Sequence, residues 1–122
     1  MRSRHRSGRS AYASGLAAED LVCAALTADG WTILGRRLRT AAGEVDAVAE
    51  KSGLLAVVEV KHRPNLADAA VALAPRQQAR LLAATDILLA EHPEWGAAGV
   101  RFDLLLVDAT GAVRRVADAF RG

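Results

Sequence analysis

One cysteine, Cys23, stands in a chain of 122 residues, so an intrachain disulfide and a zinc site built on several thiolates are both excluded. A reducing, cytoplasmic setting is the compartment this predicts. No apolar run approaches the roughly 20 residues that cross a bilayer, so no membrane association is expected. The opening segment MRSRHRSGRS is charged and is not followed by the apolar stretch of a signal peptide, which predicts a protein that is not exported. Aromatic residues amount to 4%, too few for a single-strand binder built on stacked bases, and Trp31 and Trp95 read as packing residues. His5, His62 and His92 are too scattered to suggest a metal-binding histidine set. Internal repeats and long linkers are also lacking.

What is present is the 52% apolar and 25% charged mixture of a folded globular chain, of a length suited to a single domain. The net charge is +2, but Arg2, Arg4, Arg6 and Arg9 all fall in the first ten residues, leaving 12 basic against 14 acidic groups elsewhere. The expected organisation is a basic, disordered tail over residues 1–12 and a folded domain over residues 13–122. The tail reads equally as a non-specific phosphate contact or as a solvated terminus.

Ser14 to Asp29 is rich in Ala and Leu, and Gly30 follows where a left-handed helix cap is wanted, which predicts a first helix. Trp31 to Arg39 reads as a strand ending in the basic patch of Arg36, Arg37 and Arg39. EVDAVAE and LLAVVEVKH then form two strands around a tight turn. Leu54 to Val58 is apolar on both alternating faces, as in a sheet covered on both sides. Leu66 to Ala74 reads as a helical turn or a loop. Pro75 suits the first position of a second helix, which runs amphipathically to Pro93. VRFDLLLVD and Ala112 to Ala117 supply two more strands. The order predicts an α/β (or α+β) domain, a central mixed β-sheet flanked by helices.

The hairpin turns a spacing into a candidate site. With Ser52 and Gly53 as the two turn residues, Asp46 faces Glu59 and Glu44 faces Lys61, all four on one face. Two opposed carboxylates with Cβ atoms ~5 Å apart repel, and a divalent cation offsets that repulsion most simply. Lys61, ~6.5 Å along the strand from Glu59, lies within reach of a phosphate or of water at the metal. Metal and lysine together suit phosphodiester hydrolysis. Ordinary salt bridges on a solvated sheet face are the alternative. Against it, Glu59 and Lys61 end the most apolar strand of the first half of the chain, where charges are rarely found without a partner or a purpose. A slip of one residue in the turn would put Asp46 on the opposite face from Glu59.

The segment GEVDAVAEKSGLLAVVEVKHRP, from Gly43 to Pro64, resembles the signature of the YraN family of small bacterial proteins. More broadly it resembles the PD-(D/E)xK pattern of the restriction-endonuclease-like superfamily. Asp46 matches the motif aspartate; Glu59, Val60 and Lys61 match E-x-K. The likeness runs from about Gly15 through Arg101 to Asp103 and on to Phe120. Val45 stands where the superfamily motif has proline, a departure shared with the family pattern. The resemblance implies a fold like that of Holliday-junction resolvases and restriction enzymes. It also implies Mg²⁺-dependent cleavage of DNA, with Mn²⁺ as a substitute metal and branched or junction DNA among the candidate substrates. Many DNA-cutting enzymes of this fold act as dimers, which makes a homodimer a candidate assembly.

On this reading Asp46, Glu59 and Lys61 are the catalytic set, with Asp46 and Glu59 as metal ligands. Glu19, at helical spacing with Leu16, Cys23 and Leu26, resembles the auxiliary acid that superfamily members draw from this helix; an acid favourable to the helix dipole is the alternative. Arg63 extends the face of Glu59 and Lys61 and is the leading candidate for a phosphate contact, with Arg36 and Arg37 beside it. Gln77, or its neighbour Gln78, resembles the polar position that orients water or phosphate. Arg76 and Arg80, one turn apart, read as a solvated helix face in preference to a phosphate contact, and Asp103 reads as a structural hydrogen-bonding group. The competing function is a non-catalytic nucleic-acid-binding or assembly protein that retains the fold.

Overall fold

A computed structural model describes residues 7–63 and 73–121, with the side chains of the first helix described from residue 17 onward. The described elements are α1 (Ser7–Ala28), β1 (Thr32–Thr40), β2 (Gly43–Lys51), β3 (Leu54–His62), α2 (Pro75–Glu91), β4 (Gly99–Val107) and β5 (Val113–Phe120). The five strands form one sheet in chain order. Pairing is antiparallel except between β3 and β4, which run parallel and are joined through α2. This is the mixed α/β sheet the sequence predicts. Among the described residues no helix is long and apolar enough to cross a membrane. Arg2, Arg4, Arg6 and residues 66–72 lie outside the described residues.

α1 begins at Ser7, ahead of the expected start at Ser14 and inside the segment read as a tail. Extending a helix already anchored by its buried half adds one hydrogen bond per residue without a new nucleation cost. Its C-terminus is closed as the sequence predicts. Gly30, at φ +92, donates its N–H to Thr27 O, and Trp31 donates to Leu26 O. This is the paired bonding of a Schellman cap, completed by burial of both Leu26 and Trp31 in one cluster.

The sheet separates two apolar cores. Ala18, Val22, Cys23 and Leu26 of α1 pack with Ala47, Ala49, Ala56, Val58, Leu105 and Val107 on one face. Leu81, Ala84 and Leu88 of α2 pack with Val45, Val48, Leu55, Val57, Leu104 and Leu106 on the other. β3 therefore sends alternate residues into opposite cores, which is why its sequence is apolar at both parities. Each fully buried Leu or Val contributes roughly 1.5–3 kcal/mol by leaving water.

The β2–β3 hairpin has the expected register. Ser52 and Gly53 have φ of +52 and +80, the signature of a two-residue type I′ turn. Lys51 pairs with Leu54 and Ala47 with Val58. In β2 the pleat then breaks: Val45 joins the α2 core while Ala47 and Ala49 join the α1 core. Regular alternation would put all three on one face. The break falls at Asp46, and Arg37 on the neighbouring strand has φ +50.

Candidate active site

The candidate side chains gather where β2 and β3 run past the end of their regular pairing. Glu59 and Lys61 share the α2 face of β3. The Glu59 side chain is 8% exposed and Lys61 21%, and their charged ends are 3.3 Å apart. A second cation reaches the same carboxylate from α2. One Nη of Arg80 donates to both Glu59 oxygens, at 3.3 and 3.4 Å.

Asp46 does not stand directly opposite Glu59 in the ladder as expected. The ladder stops at Ala47 and Val58, and the Asp46 carboxylate instead accepts the Val60 N–H at 2.8 Å. Opposed carboxylates repel, and a backbone donor on the facing strand offers Asp46 a better partner. Its carboxyl is pushed up to about 6, first by burial and then by the charges of Glu59, Glu19 and Glu44, with the Val60 hydrogen bond pulling the other way. Asp46 thus feels carboxylates from α1, β2 and β3 together. The expected facing of Glu44 and Lys61 gives no ion pair: Lys61 turns to Glu59, and Glu44 lies 3.7 Å from Arg39.

Among the described residues no group of three His, Cys, Asp or Glu side chains is already arranged as a metal cage. The donor chemistry nevertheless fits a divalent cation. Glu19 Oε1 is buried without a hydrogen-bond partner, and Asp46 is a carboxyl whose charge is resisted by burial and by neighbouring acids. A hard, oxygen-preferring ion such as Mg²⁺ relieves both conditions. Asp46 and Glu59 would hold such an ion, with Glu19 as the auxiliary ligand.

The expected phosphate contacts fare differently. Arg37 and Arg63 are exposed, and the Arg63 guanidinium donates to the neighbouring His62 O. Arg36 donates to Asp20 of α1 at 2.7 Å, so its charge is partly spent within the fold. Gln77 Oε1 accepts the Ala74 N–H and Gln78 Nε2 donates to Leu73 O. Both glutamines thus fasten the start of α2, where the sequence reading gave Gln77 a role toward water or phosphate.

Arg80, for which the sequence favours a solvated helix face over a phosphate contact, turns instead to the Glu59 carboxylate. Its neighbours in the pattern held the signal: Leu81 and Ala84 are fully buried, and a residue beside them flanks the apolar stripe. Asp103 is structural, as the sequence reading favoured. Its side chain is fully buried, accepts Arg115 at 2.7 and 3.0 Å and Arg101 at 3.1 Å, and caps the Asp118 N–H at 2.9 Å. The Arg115 and Arg101 guanidiniums lie over the Trp31 ring at 4.8 and 5.2 Å, which makes Trp31 a packing residue. His92 stacks on Trp95, and the buried Cys23 thiol is pushed up chiefly by burial, away from the reactive thiolate.

A single α/β domain with an acidic and basic cluster at the end of a central hairpin defines the class. Within it, the sequence profile of the uncharacterised protein family UPF0102 matches residues 18–107. A UPF0102 protein of Granulibacter bethesdensis is 60% identical over 114 residues, covering 93% of this chain and 72% of its own. Another from Azorhizobium caulinodans is 46% identical, over 94% of this chain and 88% of its own, and one from Rhodopseudomonas palustris 44%, over 90% and 85%. The chain belongs to family UPF0102, the YraN family of uncharacterised bacterial proteins.

Proposed function

We propose that this chain is a divalent-metal-dependent nuclease that hydrolyses DNA phosphodiester bonds. The observation that carries the reading is the buried, unpartnered Glu19 oxygen near an Asp46 whose charge is opposed by three surrounding acids, with Lys61 alongside. A fold alone needs no such arrangement, since a buried polar oxygen without a partner and a carboxylate crowded by other acids are both costly. Asp46 and Glu59 would hold the cation and Glu19 would support it. When bound, Mg²⁺ supplies the positive charge that makes water a nucleophile near neutral pH and stabilises the crowded phosphorus. The Lys61 ammonium donates to the attacking water or to a non-bridging phosphate oxygen and orients it. The Val60 N–H holds Asp46 against the strand that bears Glu59 and Lys61. Arg37 and Arg63 meet flanking phosphates.

A second reading, a non-catalytic nucleic-acid-binding protein, is favoured by one observation: Glu59 has two cationic partners of its own, Lys61 and Arg80. The experiment that separates the two incubates the purified chain with plasmid, single-stranded and four-way-junction DNA, in Mg²⁺, Mn²⁺ or chelator, beside Asp46→Ala and Lys61→Ala. Metal-dependent cleavage lost in both variants supports the nuclease. Equal cleavage in all three proteins marks a contaminant, and binding in chelator without cleavage in any metal favours the second reading.

A further inference from the structure

The Arg80 side chain follows a path that one glycine keeps open. It crosses from α2 over Gly43 at the end of the β1–β2 turn, where an added Cβ would lie 2.7 Å from Arg80 Cδ and 2.8 Å from Cγ. Gly43 also holds φ +138, a conformation L side chains rarely adopt. Backbone freedom and close approach thus coincide at the residue beneath the guanidinium.

At the end of that path the contact is loose. The Arg80 bonds to Glu59 are 3.3 and 3.4 Å and the Lys61 contact is 3.3 Å, all longer than the ~2.7–2.9 Å of a well-made charge-assisted hydrogen bond. Asp103 provides an internal comparison, gripped by Arg115 at 2.7 and 3.0 Å. Arg80 uses one nitrogen of its fork on Glu59, and its Nε is buried with no hydrogen-bond partner. Glu59 is therefore neutralised without being locked, by a cation that retains an unspent donor.

We infer that Arg80 is a displaceable counter-cation: its guanidinium occupies Glu59 in the metal-free protein, competes there with the divalent ion, and on release presents its donors to the substrate phosphate. This rests on the metal-site reading above. Arg80 is on this account a gate between loading and substrate binding. A free carboxylate would hold the metal more tightly, but the released guanidinium couples metal entry to the arrival of an anion. Its planar fork matches two phosphate oxygens, which the Lys61 ammonium cannot do.

The test uses the full chain and two readouts. Isotope-labelled protein is titrated with Mg²⁺ while the Arg80 Nε–H resonance is followed by NMR. Mn²⁺ affinity is measured by calorimetry for wild type, Arg80→Ala, Arg80→Lys and Asp46→Asn. The expected results are an Arg80 resonance that shifts as Mg²⁺ saturates, Mn²⁺ binding about tenfold tighter in Arg80→Ala, and an intermediate affinity in Arg80→Lys. An Arg80 resonance unmoved at saturation overturns the inference, as does Mn²⁺ binding that Asp46→Asn abolishes but Arg80→Ala leaves equal or weaker; either leaves the metal site standing. Absence of Mn²⁺ binding in every protein overturns both the inference and the metal site.

Discussion

The Asp46 carboxylate accepts the N–H of Val60 at 2.8 Å, and Val60 is the residue between Glu59 and Lys61. One hydrogen bond therefore fixes the acid of β2 to the strand that carries the other two groups, in place of the ladder bond the hairpin gives up there.

That position sets a pH dependence. Burial, then Glu59, Glu19 and Glu44, push the Asp46 carboxyl up to about 6 from an ordinary value of 3.8. The folded state then holds this proton more tightly than the unfolded state, so stability is fully present below the ordinary value and is lost as pH rises through the folded one. Asp46→Asn keeps an acceptor for Val60 and removes the charge. In chelator near pH 7.5 it should be more stable than wild type by on the order of 1–2 kcal/mol, with the difference shrinking toward pH 4. Urea denaturation across that range checks this, and a lower midpoint for the variant near pH 7.5 would sink it.

Lys61→Ala tests chemistry without removing a metal ligand. DNA cleavage should fall by on the order of 10²-fold or more, while Mn²⁺ affinity is retained or raised. Single-turnover cleavage and calorimetry on the same preparation separate the two effects, and an equal loss of both would make Lys61 a structural partner of Glu59 instead.

Asp103→Ala should act in the opposite manner. It strips the partners of Arg115, Arg101 and the Asp118 N–H, and breaking a buried ion pair costs about 3–5 kcal/mol. The urea midpoint should drop sharply while the surviving folded fraction binds Mn²⁺ as wild type does. A variant of unchanged stability would contradict the structural role.

DNA binding in Ca²⁺, without turnover, should report which arginines are free. Arg37→Ala and Arg63→Ala should each lower the salt dependence by about one phosphate contact. Arg36→Ala should lower it less, because Asp20 holds Arg36 at 2.7 Å. A larger effect at Arg36 than at Arg37 would relocate the interface.

Gly43→Ala should destabilise the fold by roughly 1–3 kcal/mol, since the substituted residue must adopt φ +138 and displace Arg80. Thermal melting of the variant beside Arg80→Ala distinguishes backbone strain, present in the first alone, from loss of the guanidinium.

Local rules made much of this legible. The Gly30 cap, the Ser52 and Gly53 turn, the Pro75 start of α2 and the two-sided burial of β3 each follow from a few neighbouring residues whose conformations are restricted. The convergence of Glu59 with Lys61 needed only strand parity. The sequence could not reveal that Asp46 would leave the ladder for Val60 N–H, because that choice depends on the summed repulsion of Glu59, Glu19 and Glu44 in three dimensions. Nor could it show Arg80 meeting Glu59, since the meeting depends on how α2 lies across the sheet and on the space above Gly43. The Gln77 bond to the Ala74 N–H was not legible either, because the same carboxamide suits a phosphate and an open N–H at a helix start.

The Ser52 and Gly53 turn lies ~20 Å along β3 from Glu59, far from any chemistry, yet the site inherits its arrangement from that turn by counting. A slip of β3 by one residue against β2 would reverse its parity, sending Glu59 and Lys61 toward α1 and their apolar neighbours toward α2. The count of residues between turn and motif is thus as much a part of the site as the acids themselves.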